Sequence, residues 1–150
     1  RPSIMKFYPP IMVIVGIIAQ VIIAKFTTPT FMITPPFHLI GAVFILAGLY
    51  PILAINRAFK RHKTSIIPDA KPSALLDEGL FRFSRNPIYV GMALILTGSA
   101  LLTGNLYGLG IVALFVFAVQ ALWIKKEEEN LENAFGDLYL EYKSRVRRWL

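Results

Sequence analysis

NPIYVGMALILTGSALLTGNLYGLGIVALFVFAVQALWI, residues 86–124, contains no charged side chain. One α-helix needs about 20 apolar residues to cross the hydrocarbon core of a bilayer, which is roughly 30 Å thick. The stretch is therefore too long for one crossing and about right for two. Thr103-Gly104-Asn105, near its middle, is a typical turn sequence. We predict a hairpin of two membrane helices over about 87–102 and 106–124.

Two further apolar runs of similar length precede this hairpin. They cover about 8–26 and 37–55, and a proline-rich segment without charge separates them. Small residues recur at a spacing of seven in the second run and in the first half of the hairpin. This spacing places each pair on one helix face, where small residues allow two helices to approach closely. These residues are Gly41 and Gly48, and Gly91 and Gly98.

The composition agrees with an integral membrane protein. Of the 150 residues, 55% are hydrophobic and 17% are charged, and the mean hydropathy is +0.57. Soluble domains contain about 25% charged residues on average. Cysteine is absent and there are two histidines, so neither a disulfide framework nor a metal site is predicted. We predict an all-α membrane bundle of about four transmembrane helices, forming a single domain over residues 1–150.

The charged residues gather in the N-terminus, the loop 56–86 and the tail 125–150. Of the 16 lysines and arginines, Lys25 alone lies near the uncharged loops, and all 9 acidic residues share the three charged segments. An even number of crossings places these segments on one side, and the positive-inside rule makes that side cytoplasmic. We therefore predict a multi-pass protein with both termini in the cytoplasm. Anionic lipid headgroups suffice to balance the net charge of +7, so no nucleic-acid partner is predicted.

A polar motif, Arg85-Asn86-Pro87-Ile88-Tyr89, opens the third predicted helix at the cytoplasmic interface. Asn86 is a favourable N-cap, and Pro87 is a favourable first helical residue. The free N–H groups and positive dipole end of such a first turn can hold a carboxylate or a phosphate. An ordinary capped helix with an interfacial arginine and an aromatic anchor explains the same residues, so both explanations stay open.

Two carboxylates, Glu127 and Glu128, lie at the cytoplasmic end of the fourth predicted helix. Carboxylates at this level can accept hydrogen bonds from ribose hydroxyls or from an ammonium group. A solvated helix end with two neighbouring lysines is the alternative explanation. Aromatic residues follow at helical spacing, and we expect them to pack the tail onto the bundle rather than hold a ligand. They are Phe135, Tyr139 and Tyr142.

The two segments occur in a definite order. Arg-Asn-Pro-x-Tyr-x-Gly is followed by two helices and then by Glu-Glu-x-x-Leu-x-x-x-Phe-Gly-x-x-Tyr-x-x-Tyr. This arrangement, over about 71–150, resembles the isoprenylcysteine carboxyl methyltransferase and phospholipid methyltransferase superfamily of integral membrane enzymes. The resemblance implies S-adenosylmethionine as cofactor, S-adenosylhomocysteine as product, and a cytoplasmic cofactor-binding cap on the bundle.

The resemblance also implies roles for particular residues. We hypothesise that Arg85 orients charge near the reacting centre and that Glu128 serves as a base if the acceptor needs one. Trp123 and Arg148 are expected to contact the substrate. The expected cofactor contacts are Ser73, Ala74, Leu75, Leu76, Phe81, Asn86, Pro87, Ile88, Tyr89 and Glu127.

The sequence departs from the superfamily pattern at two places. Trp123 stands where eukaryotic isoprenylcysteine enzymes have an arginine that contacts the substrate, and Val146-Arg147-Arg148 lacks the proline of the pattern Val-Pro-Arg. The first departure argues against a prenylcysteine carboxylate as the substrate. The sequence therefore predicts methyl transfer to a lipophilic acceptor, an isoprenoid- or lipid-like carboxylate, amine or thiol, which enters from the bilayer.

Three other functional classes stay open on the sequence. A nicotinamide-dependent membrane reductase would need a larger pocket and more helices. A membrane scaffold or lipid-binding protein would keep the fold without catalysis. A transporter or channel subunit is disfavoured, because no charged residue lies in the middle of a predicted span. Membrane lipids and a lipophilic small molecule or lipid-modified substrate are the predicted partners, without a metal.

Overall fold

The computed structural model describes residues 8–27, 39–61 and 79–150. Throughout these three ranges the regular structure is helical, which confirms the all-α prediction. A 3₁₀ turn precedes the third helix, and a π-helical segment joins the fourth helix to the fifth. The elements are α1 (Tyr8–Phe26), α2 (Leu39–Arg61), the 3₁₀ turn (Gly79–Arg82), α3 (Pro87–Thr103), α4 (Leu106–Val119), the π segment (Gln120–Ile124), α5 (Lys125–Phe135) and α6 (Asp137–Arg145).

Three helical stretches are long and apolar enough to cross a membrane. They are Pro9–Phe26, Leu39–Ala58 and Leu106–Phe135, the last of which runs from α4 through the π segment into α5. Helix α3 is also apolar but has 17 residues, at the lower limit of about 17 for a crossing. The predicted membrane bundle is thus present, with three helices of full crossing length and one at the limit.

Two helices extend beyond the predicted membrane spans. Helix α2 continues past Ile55 to Arg61, and the helix that contains the predicted span 106–124 continues through the π segment to Phe135. In both places the apolar run ends, yet the polar residues that follow keep the backbone hydrogen bonding of the helix, since many of them are good helix formers. Residues 56–61 of the predicted loop 56–86 thus belong to α2.

The turn between α3 and α4 forms where it was predicted. Gly104 has φ 67° and donates its backbone N–H to the Ala100 carbonyl at 3.1 Å; this left-handed conformation favours glycine because it has no Cβ. The Asn105 side chain accepts from the Tyr107 backbone N–H at 2.9 Å and so caps α4. Asn105 also donates its side-chain amide to the Thr27 hydroxyl, which fixes the end of α1 against this turn.

Helices α2 and α3 touch backbone to backbone through two glycine pairs. A Cβ built on Gly48 would collide with the Gly91 carbonyl oxygen, and one built on Gly91 would collide with the Gly48 carbonyl oxygen. Gly41 and Gly98 stand in the same reciprocal relation. The predicted packing at these glycines is confirmed, and the opposite order of the two pairs makes α2 and α3 antiparallel.

Gln20 joins three helices inside the bundle. Its side chain is 1% exposed, and its Nε2 donates to the Leu96 carbonyl on α3 at 3.1 Å and to the Gly108 carbonyl on α4 at 2.9 Å. Polar side chains that bridge helices in apolar surroundings add specificity to packing that is otherwise non-directional. Helix α1 is therefore held against the α3–α4 hairpin at two levels.

The antiparallel order divides the bundle into two ends. The end of α1, the start of α2 and the α3–α4 turn lie at one of them. The starts of α1 and α3 and the end of α2 lie at the other, together with α5 and α6. The charged residues of 79–86 and 125–150 are therefore brought to this second end, which is called the charged end below.

Candidate active site

The segment just before α3 is held by the last residues of the chain, Val146–Leu150, which are called the C-terminal strap. The Arg85 backbone N–H donates to the Arg147 carbonyl at 2.9 Å. The Asn86 side-chain amide donates to the Arg148 carbonyl at 3.0 Å, and the Ser84 hydroxyl donates to the same oxygen at 3.4 Å. The strap thus lies alongside the start of α3 and fixes its conformation.

Asn86 occupies the N-cap position of α3, but its side chain makes no capping hydrogen bond. The predicted N-cap position is confirmed, and the side chain bonds the strap through Nδ2. Pro87, the first helical residue, has no N–H. The first turn of α3 is the positive end of the helix dipole, where an anionic group would be favoured.

Glu128 lies between two arginines. Its Oε2 accepts from Arg85 Nη1 at 3.0 Å and from Arg148 Nε at 3.0 Å, and its Oε1 accepts from Arg148 Nη2 at 2.9 Å. The carboxylate side chain is 8% exposed, against 11% for Arg85 and 29% for Arg148. Two-pronged arginine–carboxylate bonding of this kind is both strong and directional. The hydrogen bond to Glu128 raises the pKa of Arg148 above its ordinary value.

The hydrogen bonds of Glu128 argue against its hypothesised role as a base. Both oxygens of Glu128 accept hydrogen bonds from arginine, so the carboxylate is not placed to take a proton from an acceptor while those bonds persist. The arrangement favours a role for Glu128 in positioning Arg85 and Arg148.

Arg85 has a buried donor that no described residue uses. Among the residues that the structure describes, none offers an acceptor within hydrogen-bonding distance of Arg85 Nε. A buried donor without an acceptor costs about 1–3 kcal/mol, and more when the group is charged. Such an atom is suited to an anionic group of a bound molecule.

Tyr89 and Glu127 meet beside this ion-pair cluster. The Tyr89 side chain is 6% exposed, and its hydroxyl donates to Glu127 Oε2 at 3.2 Å. Glu127 is half-buried. The first turn of α3 and the first turn of α5, whose residues the sequence analysis singled out separately, are therefore in direct contact.

The aromatic residues of the tail form a small core of their own. Tyr139, Tyr142 and Val146 are buried there, with Phe81 and Phe135 packed against them. The Tyr142 hydroxyl donates to the Phe81 carbonyl at 2.7 Å. These aromatic residues pack the tail on itself and on the 3₁₀ turn, in a cluster separate from the core of the bundle on which the sequence predicts them to pack. That they hold no ligand stays a prediction.

Tyr139 is a neutral phenol at this site. Burial raises the pKa of Tyr139 above its ordinary value, while a hydrogen bond from Arg85 lowers that pKa in part. The hydroxyl thus adds no charge near the Arg85–Glu128 pair at neutral pH.

The other residues expected to contact the cofactor or the substrate lie outside the ion-pair cluster, and some lie outside the described residues. Trp123 is 2% exposed and belongs to the main apolar core, together with Tyr89 and Val119. Ile88 is half-buried against the same core.

No group of three or more metal-ligating side chains occurs within 8–27, 39–61 and 79–150. Four expected cofactor contacts lie outside the described residues: Ser73, Ala74, Leu75 and Leu76.

Sequence reasoning missed two residues of this region. The indole N–H of Trp149 donates to Gln120 Oε1 at 2.9 Å, which ties the strap to the π segment. Gln120 is the one uncharged amide between Asn105 and the charged residues of α5, and that isolation in an apolar run was the available signal. The π segment itself leaves no mark in the apolar pattern.

Comparison with known proteins identifies related sequences. The model of the phospholipid methyltransferase family matches residues 36–138. An uncharacterized protein of Haemophilus influenzae is 42% identical over 64 residues, which are 42% of this chain and 100% of the relative. No solved structure matches.

Two relatives carry the name of an activity. The protein-S-isoprenylcysteine O-methyltransferase of Schizosaccharomyces pombe is 30% identical over 76 residues, which are 51% of this chain and 32% of the relative. The methanethiol S-methyltransferase 1 of Bradyrhizobium diazoefficiens is 33% identical over 79 residues, which are 52% of this chain and 26% of the relative. The matches to these two thus span about a third and a quarter of their length.

Proposed function

Since the chain belongs to the phospholipid methyltransferase family, we propose that it transfers a methyl group from S-adenosylmethionine to a lipophilic acceptor at the membrane surface. The protein is an integral membrane protein by its apolar helices and its family. In this proposal the chain crosses the bilayer several times, with the charged end and both termini in the cytoplasm. The bias of basic residues toward the charged end supports that orientation.

The observation that carries the proposal is the meeting of two motifs at the charged end. Tyr89 at the start of α3 contacts Glu127, and Arg85 contacts Glu128. The Tyr89–Glu127 contact joins residues 38 positions apart along the chain, and the Arg85–Glu128 contact joins residues 43 positions apart. A scaffold protein has no need to bring this set of donors and acceptors together.

The residues present fit the chemical groups of S-adenosylmethionine, which carries a carboxylate, an ammonium group and ribose hydroxyls. The positive end of α3 and Arg85 Nε, for which no described residue is an acceptor, would hold the carboxylate. Glu127 would accept from the ammonium group or from a ribose hydroxyl, with Tyr89 fixing its carboxylate. Ser73 to Leu76 and Phe81 stay expected contacts of the adenosine part.

Bound S-adenosylmethionine supplies an activated methyl group, so the protein mainly has to align the acceptor and exclude water. Arg85, fixed by Glu128, presents positive charge near the start of α3. Arg148, held by the same carboxylate, would orient an anionic or polar part of the acceptor. Trp123 would form an apolar wall for the lipophilic part, which enters from the bilayer.

The relatives and the residue at position 123 support a class of acceptor. The named relatives act on an isoprenylcysteine and on methanethiol, and the family is named for phospholipids. Trp123, buried in the apolar core, supplies no cation where an arginine would bind a prenylcysteine carboxylate. We therefore expect an acceptor that is apolar around the reacting atom, either a thiol or a lipid-like carboxylate or amine.

Equilibrium binding of labelled S-adenosylmethionine to the detergent-purified protein tests this proposal. We expect Glu127→Ala to weaken binding about tenfold or more, because a hydrogen bond to a charged group is lost, and Tyr89→Phe to weaken it about fivefold. Glu129→Ala is the matched control, because Glu129 is an exposed carboxylate on the same helix. Absence of binding by the wild-type protein at millimolar cofactor would contradict the proposal and favour the scaffold alternative.

The acceptor is tested with the binding-competent protein. Methyl transfer from labelled cofactor is measured with a total lipid extract and, separately, with small apolar thiols. Label in the lipid fraction alone would identify a lipid acceptor, and label in the thiol alone would identify a small-molecule one. Binding without transfer to either would contradict the proposed acceptor class.

A further inference from the structure

The helix that runs from α4 into α5 contains one residue more than a regular α-helix. In the π segment the Lys125 backbone N–H donates to the Gln120 carbonyl, five residues back, where an α-helix would bond four residues back. Single π turns of this kind inside α-helices occur frequently at functional sites. This turn lies directly between the apolar core and the two glutamates.

The extra residue changes which glutamate faces inward. Phe115, Val119 and Trp123 are buried at a spacing of four, and Ile124 and Glu128 are buried at the same spacing but one residue later. A regular α-helix continued from Trp123 would bring Glu127 to the buried face. The π turn is therefore what places Glu128 between the arginines and leaves Glu127 beside Tyr89.

The C-terminal strap contacts both sides of the π turn. Trp149 donates its indole N–H to Gln120 Oε1 at 2.9 Å on the α4 side. Arg148, the preceding residue, binds Glu128 with two hydrogen bonds on the α5 side. The Trp149 ring also packs against the main apolar core. Two neighbouring strap residues thus span the segment in which the register changes.

We propose that Gln120 and Trp149 are positioning residues, whose hydrogen bond holds the π turn and thereby sets which glutamate meets the arginines and which meets Tyr89. Neither residue touches the reacting atoms in this arrangement. The effect of the Gln120–Trp149 hydrogen bond on cofactor binding rests on the proposed function, since Glu127 is the residue expected to hold S-adenosylmethionine. The effect on the helix itself does not depend on that function.

Four variants of the full chain separate the hydrogen bond from other effects. Trp149→Phe removes the N–H donor and keeps an aromatic ring, and Gln120→Leu removes the acceptor. Gln120→Glu keeps an acceptor oxygen in the same place. Leu150→Ala is the control on the strap, because its side chain is 73% exposed.

Two readouts are measured on each variant in detergent. One is amide hydrogen exchange of the peptide that covers residues 120–128. The other is the dissociation constant of S-adenosylhomocysteine, together with KM and kcat for the cofactor. For Trp149→Phe and Gln120→Leu we expect exchange to become about two- to tenfold faster, the range for one lost neutral hydrogen bond. We expect the dissociation constant and KM to rise by a similar factor and kcat to change less, with Gln120→Glu and Leu150→Ala close to wild type.

Wild-type exchange rates in Trp149→Phe and Gln120→Leu would overturn the proposal. Faster exchange with unchanged cofactor affinity would overturn the positioning role, as would equal effects in Leu150→Ala. If the wild-type protein binds neither S-adenosylmethionine nor S-adenosylhomocysteine, the proposed function fails. The exchange rates would still decide whether the strap holds the π turn.

Discussion

Glu128 shows how a single residue is given its role by its partners. In the sequence it is one of three consecutive glutamates at a helix end, and nothing in the local pattern separates it from Glu127. In the structure it is the buried carboxylate that two arginines share. Its neighbour bonds a tyrosine instead. The difference arises from the π turn and from a strap that lies about twenty residues further along the chain.

Replacing Glu128 tests the positioning role at this scale. We expect Glu128→Gln to lower the free energy of unfolding by about 2–3 kcal/mol, because two arginines lose the charge that compensates them. The measurement is denaturant unfolding of the detergent-purified protein, followed by tryptophan fluorescence. Glu129→Gln, at an exposed position on the same helix, is expected to unfold like the wild type.

The opposite pattern would support catalysis by Glu128 instead. If Glu128→Gln unfolded like the wild type but lost methyl transfer while keeping cofactor affinity, the carboxylate would be acting as a base.

Asn86 marks the limit of sequence reasoning about single residues. Its N-cap position was predictable, because Asn before Pro is a strong helix-start pattern. The partner of its side chain was not, since the Arg148 carbonyl is brought there only by the tertiary fold. Local patterns predict backbone conformation, whereas side-chain partners depend on segments that are distant in sequence.

Among the elements, the α2–α3 pair was the most predictable. Its glycines recur every seven residues on each helix, and the structure joins Gly41 to Gly98 and Gly48 to Gly91. The spacing suffices because small residues on one face indicate a close contact whichever helix is the partner. The ends of α2 and α5 were less predictable. The end of an apolar run indicates the edge of the bilayer, and the helix can continue beyond that edge.

Gly48→Ala tests this contact, with Gly110→Ala as the matched glycine. A Cβ at Gly48 meets the Gly91 carbonyl oxygen and the Ile95 backbone N, which cannot move aside as the Ile95 side chain could, whereas a Cβ at Gly110 meets nothing within 4 Å. We expect Gly48→Ala to lower the free energy of unfolding by about 1–3 kcal/mol, as overpacking does. Gly110→Ala should be neutral or slightly stabilising, since alanine is the better helix former. Equal unfolding of the two variants would contradict a tight α2–α3 contact.

At the scale of the whole molecule, the fold separates the charged end from an end at which, among the described residues, Lys25 is the one charged side chain. The sequence already predicts this division, because the loops alternate in charge. The structure of residues 79–150 shows contacts that the sequence does not predict. The strap, the 3₁₀ turn and α6 pack together beside the starts of α3 and α5. Those contacts need the three-dimensional path of the chain.

Single cysteines test the arrangement across the membrane, because the natural chain has none. Phe26→Cys lies at the end opposite the charged end and is 84% exposed in the wild type. Asn133→Cys lies on α5 at the charged end and is also exposed. In sealed vesicles of known orientation, we expect a membrane-impermeant maleimide to label Asn133→Cys from the cytoplasmic face and Phe26→Cys from the other. Labelling of both from one face would contradict the multi-pass arrangement.

The unequal lengths of α2 and α3 have a consequence for depth. From the level where Gly48 meets Gly91, α2 continues to Arg61 while α3 continues back only to Pro87. At 1.5 Å per residue these distances are about 20 Å and about 6 Å. The start of α3 is thus recessed by about 14 Å below the tip of α2, so a donor bound there would have its reactive end near the acyl chains. A lipid acceptor would then need only a small outward excursion to reach it.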